Sequence, residues 1–213
     1  MGEKRVDLYE NPVISQKFVT LEQPYFHFKV EQFFDSKVAG HLLSWLQDTN
    51  LYRTVEGGFY KQTMFPITTD RLPEDLQNLF DEKNRNQIQK KAEQYFETMF
   101  HDSFLITAHR LLPTEKTLIH NDYLADPYHM KYGFTHRIIV YINDQWKRED
   151  GGVLGVYASD QSSDLVHTYE PIHNSAIGLA FSPNSYHDVS EVVGGERYTI
   201  NFTFLSKSPN FKK

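Results

Sequence analysis

The sequence contains no cysteine. Disulfides, thiolate metal sites and cysteine nucleophiles are thereby excluded, and any bound metal must be held by His, Asp or Glu. No apolar run approaches the length of a membrane span. The opening residues, MGEKRVDLYENPV, are too charged for a secretory leader, and Val6 stands where N-myristoylation wants Ser or Thr. Positive charge is scarce. The 22 Lys and Arg face 28 Asp and Glu, a formal charge of -6, and the pI is near 5.9. That balance argues against a nucleic-acid or membrane partner, since both reward basic patches. No internal repeat, low-complexity tract or Gly/Ser/Pro-rich linker divides the 213 residues. The expectation is a single domain over 1–213, soluble and cytoplasmic, with room for a sizeable core. No oligomeric state follows from the sequence.

Aromatic residues are plentiful, with 16 Phe and 13 Tyr, a composition that favours packed β-structure. In YFHFKVEQFF the alternation of Phe26, Phe28 and Val30 with polar residues predicts a strand. Asp35 is a candidate N-cap for a helix in DSKVAGHLLSWLQ, where Val38, Leu42 and Leu46 recur at helical spacing. The stretch from Pro73 to Phe100 has no Gly and no further Pro, which predicts a short and a longer helix with a break near Asn84. After His101 the texture changes to eight short β-rich runs separated by Pro, Gly, Asn and Asp turns, from FLITAHRLL to RYTINFTFL. The pattern predicts a mainly β fold with flanking helices (α+β). Residues 1–102 supply a strand and helices, and 103–206 form a sandwich or barrel core braced by the helices on one face.

Of ten histidines, only His120 begins a His-x-Asp triplet, His120-Asn121-Asp122. Residues two apart in a strand point to one face, so this imidazole and carboxylate can converge on one ion. His187 lies far downstream in a short run after a Pro/Asn/Ser turn. Two histidines and one carboxylate with open positions form the facial triad of non-haem Fe(II) oxygenases, whereas a closed zinc site wants a fourth protein ligand and none is obvious. Arg197 opens the run RYTINFTF, in which Arg197, Thr199, Asn201 and Thr203 share one face and Tyr198, Ile200, Phe202 and Phe204 the other. A guanidinium on a pocket-lining face needs an anion, and a carboxylate is its bidentate match.

At these residues the chain resembles the 2-oxoglutarate and Fe(II)-dependent oxygenases, which share His-x-Asp, a long gap, His, and then a basic residue about ten positions on. The run YINDQWKREDGGVLGVY is similar to the Tyr, Asn, Trp and Gly-Gly stretch of the prolyl hydroxylase branch. The likeness covers about Phe104 to Leu205. It implies a double-stranded β-helix (jelly roll), with His120, Asp122 and His187 as ligands of Fe(II) and as the catalytic centre. It also implies Arg197 on the distal carboxylate of 2-oxoglutarate and Tyr141 hydrogen-bonded to the same co-substrate. The activity implied is hydroxylation of an unactivated C–H bond with O2, giving succinate and CO2, with ascorbate as a supporting reductant. The carboxylate of Asp122 favours hydroxylation over halogenation. One position departs: Leu112 stands before Pro113 where relatives often carry a second co-substrate tyrosine.

The substrate expected is amino-acid-like, either a free amino acid or a residue of a peptide or protein. Arg137 shares a strand face with Tyr141, so it either binds a substrate carboxylate or is a solvated strand-end residue. The insert YLADPYHMKYGF is a candidate lid. His129 and His136 are expected in loops or on the surface, and His101, His109, His167 and His173 in structural or surface positions. Trp146 and the Gly151-Gly152 pair are expected as core and turn residues. Two other functions remain open. One is a catalytically silent jelly-roll binding module, which has no need to keep the triad and Arg197. The other is a cupin-type metal enzyme without 2-oxoglutarate, which usually brings more histidines and leaves Arg197 unexplained.

Overall fold

The computed structural model of the chain describes residues 12–13, 17–58, 60–123 and 134–207. The first half alternates strand and helix: β1 (Phe18–Leu21), β2 (His27–Val30), α1 (Ser36–Asp48), β3 (Arg53–Glu56), β4 (Lys61–Pro66) and α2 (Glu82–Phe96). The second half is β apart from two 3-10 turns, Arg148–Asp150 and Ser162–Asp164. It runs β5 (Leu105–Leu111), β6 (Thr117–His120), β7 (His136–Tyr141), β8 (Leu154–Tyr157), β9 (Leu165–Tyr169), β10 (Ala176–Ala180), β11 (Tyr186–Val189) and β12 (Arg197–Phe204).

Asp35 caps α1 by accepting from the Lys37 backbone N–H at 2.9 Å, which satisfies one of the unpaired donors of the first turn. Asp81 does the same for α2 through Asn84 N–H at 2.8 Å. The break expected near Asn84 therefore falls at Asp81, between a short 3-10 turn (Gln77–Phe80) and α2. Asn84 sits in the first turn because its amide also donates to Asn78 O.

The strands form an eight-stranded antiparallel sheet, in the order β1-β2-β10-β7-β12-β5-β4-β3, and a four-stranded sheet, β6-β11-β8-β9. Four strands of the large sheet come from the first half, where the sequence predicted one. Of the other three, β1 and β3 are edge strands with exposed positions, so neither carries a clean apolar alternation.

The core has two parts, divided by the large sheet. Phe28, Val140, Ile200 and Phe202 join Leu42 and Leu46 of α1 and Ile88 and Ala92 of α2 in one buried cluster. On the other face, Ile139, Tyr141, Ile177 and Leu179 meet Leu154 and Val156 of the small sheet. Burying each phenyl ring contributes roughly 1.5–3 kcal/mol of transfer free energy. All eight residues of β12 are buried, its apolar face in the first cluster and its polar face between the sheets. Among the described residues no helix is long and apolar enough to cross a membrane.

Candidate active site

Strands β6 and β11 pair antiparallel with His187 opposite His120, which puts the two imidazoles side by side with centroids 4.3 Å apart. Each Nδ1 is tied to a carbonyl two residues upstream, His120 to Leu118 O at 2.8 Å and His187 to Ser185 O at 2.9 Å. An Nδ1–H donor leaves the lone pair on Nε2, and both Nε2 atoms face Asp122. They stand 3.8 Å from Asp122 Oδ1 and 3.6 Å from Oδ2 respectively.

Asp122 lies beyond the end of β6, so the strand pleat does not bring it to His120 as expected. Asn121 does that work. Its amide donates to Pro183 O at 2.7 Å, and its carbonyl accepts from Tyr123 N–H at 2.8 Å and Ser185 Oγ at 2.9 Å. These bonds tie the residue between the two ligands to the turn that precedes β11. The potential ligand atoms of His120, Asp122 and His187 all lie within 4.8 Å of one another. Two neutral nitrogens and one carboxylate suit a non-haem iron centre. Burial opposes ionisation of Asp122, but Arg137 and the two histidines outweigh it and hold the carboxyl well below its usual range.

Arg197 is 6% exposed, with its guanidinium 5.1 Å from the Tyr141 ring centroid. Among the described residues its Nε and Nη2 have no hydrogen-bond partner, and neither do the Tyr141 hydroxyl and Asn201 Oδ1. Buried orphans of this kind are expensive, and donors clustered around a cation are matched by an anionic ligand. Burial lowers the Arg197 guanidinium, and Tyr141 opposes that. Burial likewise raises the Tyr141 phenol, with Arg197 opposing.

The family model of the 2OG-Fe(II) oxygenase superfamily matches residues 106–205. Over that segment the chain is similar to this superfamily. Over 83 residues the chain is 34% identical to the prolyl 3-hydroxylase OGFOD1 of Xenopus laevis, an alignment covering 38% of this chain and 15% of that protein. The chain thus matches only a short part of that relative. A prolyl-4-hydroxylase of Pseudomonas putida superposes with a TM-score of 0.68 at 16% identity, over 85% of this chain and 93% of that one. A Trichoplax adhaerens prolyl hydroxylase, solved with a peptide fragment of the hypoxia inducible factor oxygen degradation domain, gives 0.68 at 13% identity, over 86% and 84%. With two antiparallel sheets facing each other, these neighbours fit a jelly-roll fold.

The pocket has a volume of about 270 Å³, and His120, Asp122, Arg137, His187 and Arg197 all line it. Tyr141 is not in the lining and lies buried under Arg197. Arg137 is partly exposed and partly engaged: its Nη1 donates to Asp122 Oδ2 at 2.7 Å and its Nε to Thr203 Oγ1 at 3.4 Å. Its guanidinium also sits 5.1 Å from the Phe181 ring, which in turn stacks parallel to His187.

Several positions depart from the expectations. His109 was expected to be structural or on the surface, yet it is a wall of the pocket, with Nδ1 3.0 Å from Gln62 Oε1 and Nε2 2.8 Å from Thr107 Oγ1. Burial first, then Arg137 and Arg197, push it down to about 3. The alternation used for β12 also applies to β5, and it points Thr107, His109 and Leu111 inward together. Leu111, not Leu112, is therefore opposite Arg197. Gly151 and Gly152 are more than a turn. Both have left-handed φ, +70° and +69°, and Gly152 packs against Arg197. Trp146 fixes that turn through Nε1–H to Gly151 O at 2.9 Å. His136 is not a surface residue but packs between Phe96 and Phe100. His129 and most of the candidate lid fall outside the described residues. Its last residue, Phe134, is described and lines the pocket.

Proposed function

We propose that the chain is an Fe(II)- and 2-oxoglutarate-dependent dioxygenase that hydroxylates an unactivated C–H bond of an amino-acid-like group. The group belongs to a free amino acid or to a peptidyl residue such as proline, and succinate and CO2 are released. The observation that carries this is the meeting, in one pocket, of a three-donor His/Asp/His cluster with a buried guanidinium whose Nε and Nη2 lack partners among the described residues.

In this proposal His120, Asp122 and His187 hold the metal, which together with 2-oxoglutarate and O2 supplies the oxidising power when bound. The protein supplies orientation. The carbonyls of Leu118 and Ser185 fix the imidazole tautomers so that Nε2 is the donor atom of each histidine. Arg197 binds the distal carboxylate of 2-oxoglutarate through its unpaired Nε and Nη2, and the Tyr141 hydroxyl donates to the same group. Leu111, Leu154 and Val189 give the pocket apolar walls that keep water from the reacting centre. Helices α1 and α2, which share a core cluster with the large sheet, brace the strand that carries Arg197.

The prolyl substrates named for the relatives favour an amino-acid-like target. A silent binding module would leave the orphaned donors of Arg197 without a purpose, and a cupin-type enzyme would not need that residue. The test is an anaerobic titration of metal-free protein with Fe(II) and 2-oxoglutarate, followed by visible absorbance. A weak metal-to-ligand charge-transfer band that needs both additions, disappears in His120→Ala and weakens in Arg197→Ala is expected. No band in well-folded wild-type protein would overturn the proposal.

A further inference from the structure

Outside the pocket, a second group of polar aromatic side chains is enclosed between the two sheets. His27 alternates with Phe28 on β2, so it points away from the helices, and it is fully buried. Tyr169 points inward from β9, on the row of Leu154. His27 Nδ1 lies 2.7 Å from Tyr25 O, and Nε2 lies 2.7 Å from the Tyr169 hydroxyl. A carbonyl only accepts, so Nδ1 carries the proton and the Nε2 lone pair receives the phenol O–H.

Tyr25 links this pair to the candidate metal centre. It is buried, and its hydroxyl donates at 3.4 Å to Tyr186 O, the carbonyl of the peptide that leads into His187. Burial, then Tyr169, then Asp122 raise its phenol, so it feels both ends of the group. Its ring centroid is 5.6 Å from that of His27, which is 5.7 Å from that of Tyr169. Aromatic rings therefore run from the strand that carries His187 to a tyrosine that is half-buried and open to solvent on one side.

The phenols along this line differ in what becomes of their protons. An oxidised phenol is a strong acid, and losing an electron is easiest where a base takes the proton. Tyr25 faces a carbonyl, which does not hold one, whereas Tyr169 faces a neutral imidazole, which does. Tyr141 is poorly placed to lose an electron, because the Arg197 guanidinium 5.1 Å from its ring repels further positive charge. Phe181, stacked on His187, has no acidic proton to release. Burial lowers His27, so the imidazole is neutral at rest and holds an extra proton only at a cost.

We propose that Tyr25, His27 and Tyr169 form an electron relay that quenches the metal-centred oxidant when no substrate intercepts it. Tyr169 gives up one electron, which passes by way of Tyr25 to the metal centre and reduces the oxidant there by one unit. The Tyr169 O–H bond breaks and its proton moves to His27 Nε2. A one-electron reductant in solution, of the ascorbate or thiol class, then returns an electron to the phenoxyl group, and His27 returns the proton. The relay rests on the proposed oxygenase reaction, which supplies the oxidant.

Freeze-quench electron paramagnetic resonance on the full chain tests it. Protein loaded anaerobically with Fe(II) and 2-oxoglutarate is mixed with O2 in the absence of substrate. The wild type is expected to give a phenoxyl radical signal that ascorbate erases. Tyr169→Phe and Tyr25→Phe keep their rings, and both should lose the signal while retaining the anaerobic charge-transfer band and the melting temperature. Peptide mass spectrometry should then show oxidised side chains around the metal ligands accumulating sooner in Tyr169→Phe than in the wild type. No radical in wild type that forms the band, or a signal that persists in Tyr169→Phe, would overturn this inference alone. If the band itself does not form, the oxygenase reading falls and the relay with it.

Discussion

Gly152 lies directly beneath Arg197: a Cβ at this glycine would come within 2.7 Å of Arg197 Cδ. The left-handed φ of +69° adds strain for any other residue. Gly152→Ala is therefore expected to displace the guanidinium and raise the KM for 2-oxoglutarate by roughly 10- to 100-fold, the equivalent of one lost charge-assisted hydrogen bond. Metal affinity should stay unchanged. Steady-state kinetics beside a metal titration check this, and an unaltered KM would separate the glycine from the guanidinium it supports.

Asn121 joins the loop that carries Asp122 to the turn before His187. Its replacement by Ala removes three hydrogen bonds without touching a ligand. Metal affinity should drop about 10- to 100-fold, the usual cost of losing an orienting partner. Competition with a metal indicator measures this. The melting temperature of the metal-free protein distinguishes loss of orientation from simple unfolding.

His136 is held neutral by burial among Phe96 and Phe100, which pushes it down to about 3. In the unfolded chain a histidine titrates near 6.5. Above that pH both states are neutral at this site and the stability is fully present. Below it the unfolded state takes up a proton that the folded state refuses, and stability is lost at about 1.4 kcal/mol per pH unit down to about 3. Denaturant midpoints at pH 7, 6, 5 and 4 should show His136→Gln losing stability less steeply than the wild type, by about one proton.

Phe202 is fully buried, with ring contacts to Phe33, Phe34, Phe80 and Phe104. It joins the first half of the chain to the central strand of the second. We expect Phe202→Ala to cost about 3–5 kcal/mol. We also expect one unfolding transition in both proteins, by fluorescence and circular dichroism alike, because the two halves share this cluster. Two separated transitions would show instead that residues 1–102 fold apart from the core.

Much of this was legible in one dimension. The eight strands of the second half are marked by turn residues and short apolar runs, and each overlaps one of the eight predicted runs. The alternation in RYTINFTF assigns both faces of β12, one to the pocket and one to the core. The first half was less legible, because the edge strands β1 and β3 are exposed at positions where a buried strand would be apolar. Trp146 and the two glycines matter through contacts with residues far along the chain, which no local pattern records.

By itself the sequence determined which chemistry is available: no thiol, one His-x-Asp triplet, a later histidine and an arginine on a polar strand face. Only the tertiary structure decided how these groups meet. Antiparallel pairing of β6 with β11 set His120 against His187, and Asn121, not the strand pleat, turned Asp122 toward them. Strand pairing likewise brought His109 between two arginines and bound Arg137 to Asp122. Periodicity fixes the side of a strand on which a residue lies, because that depends on adjacent peptides alone. Which partner it finds depends on register between distant segments, and that is settled by packing of the whole core.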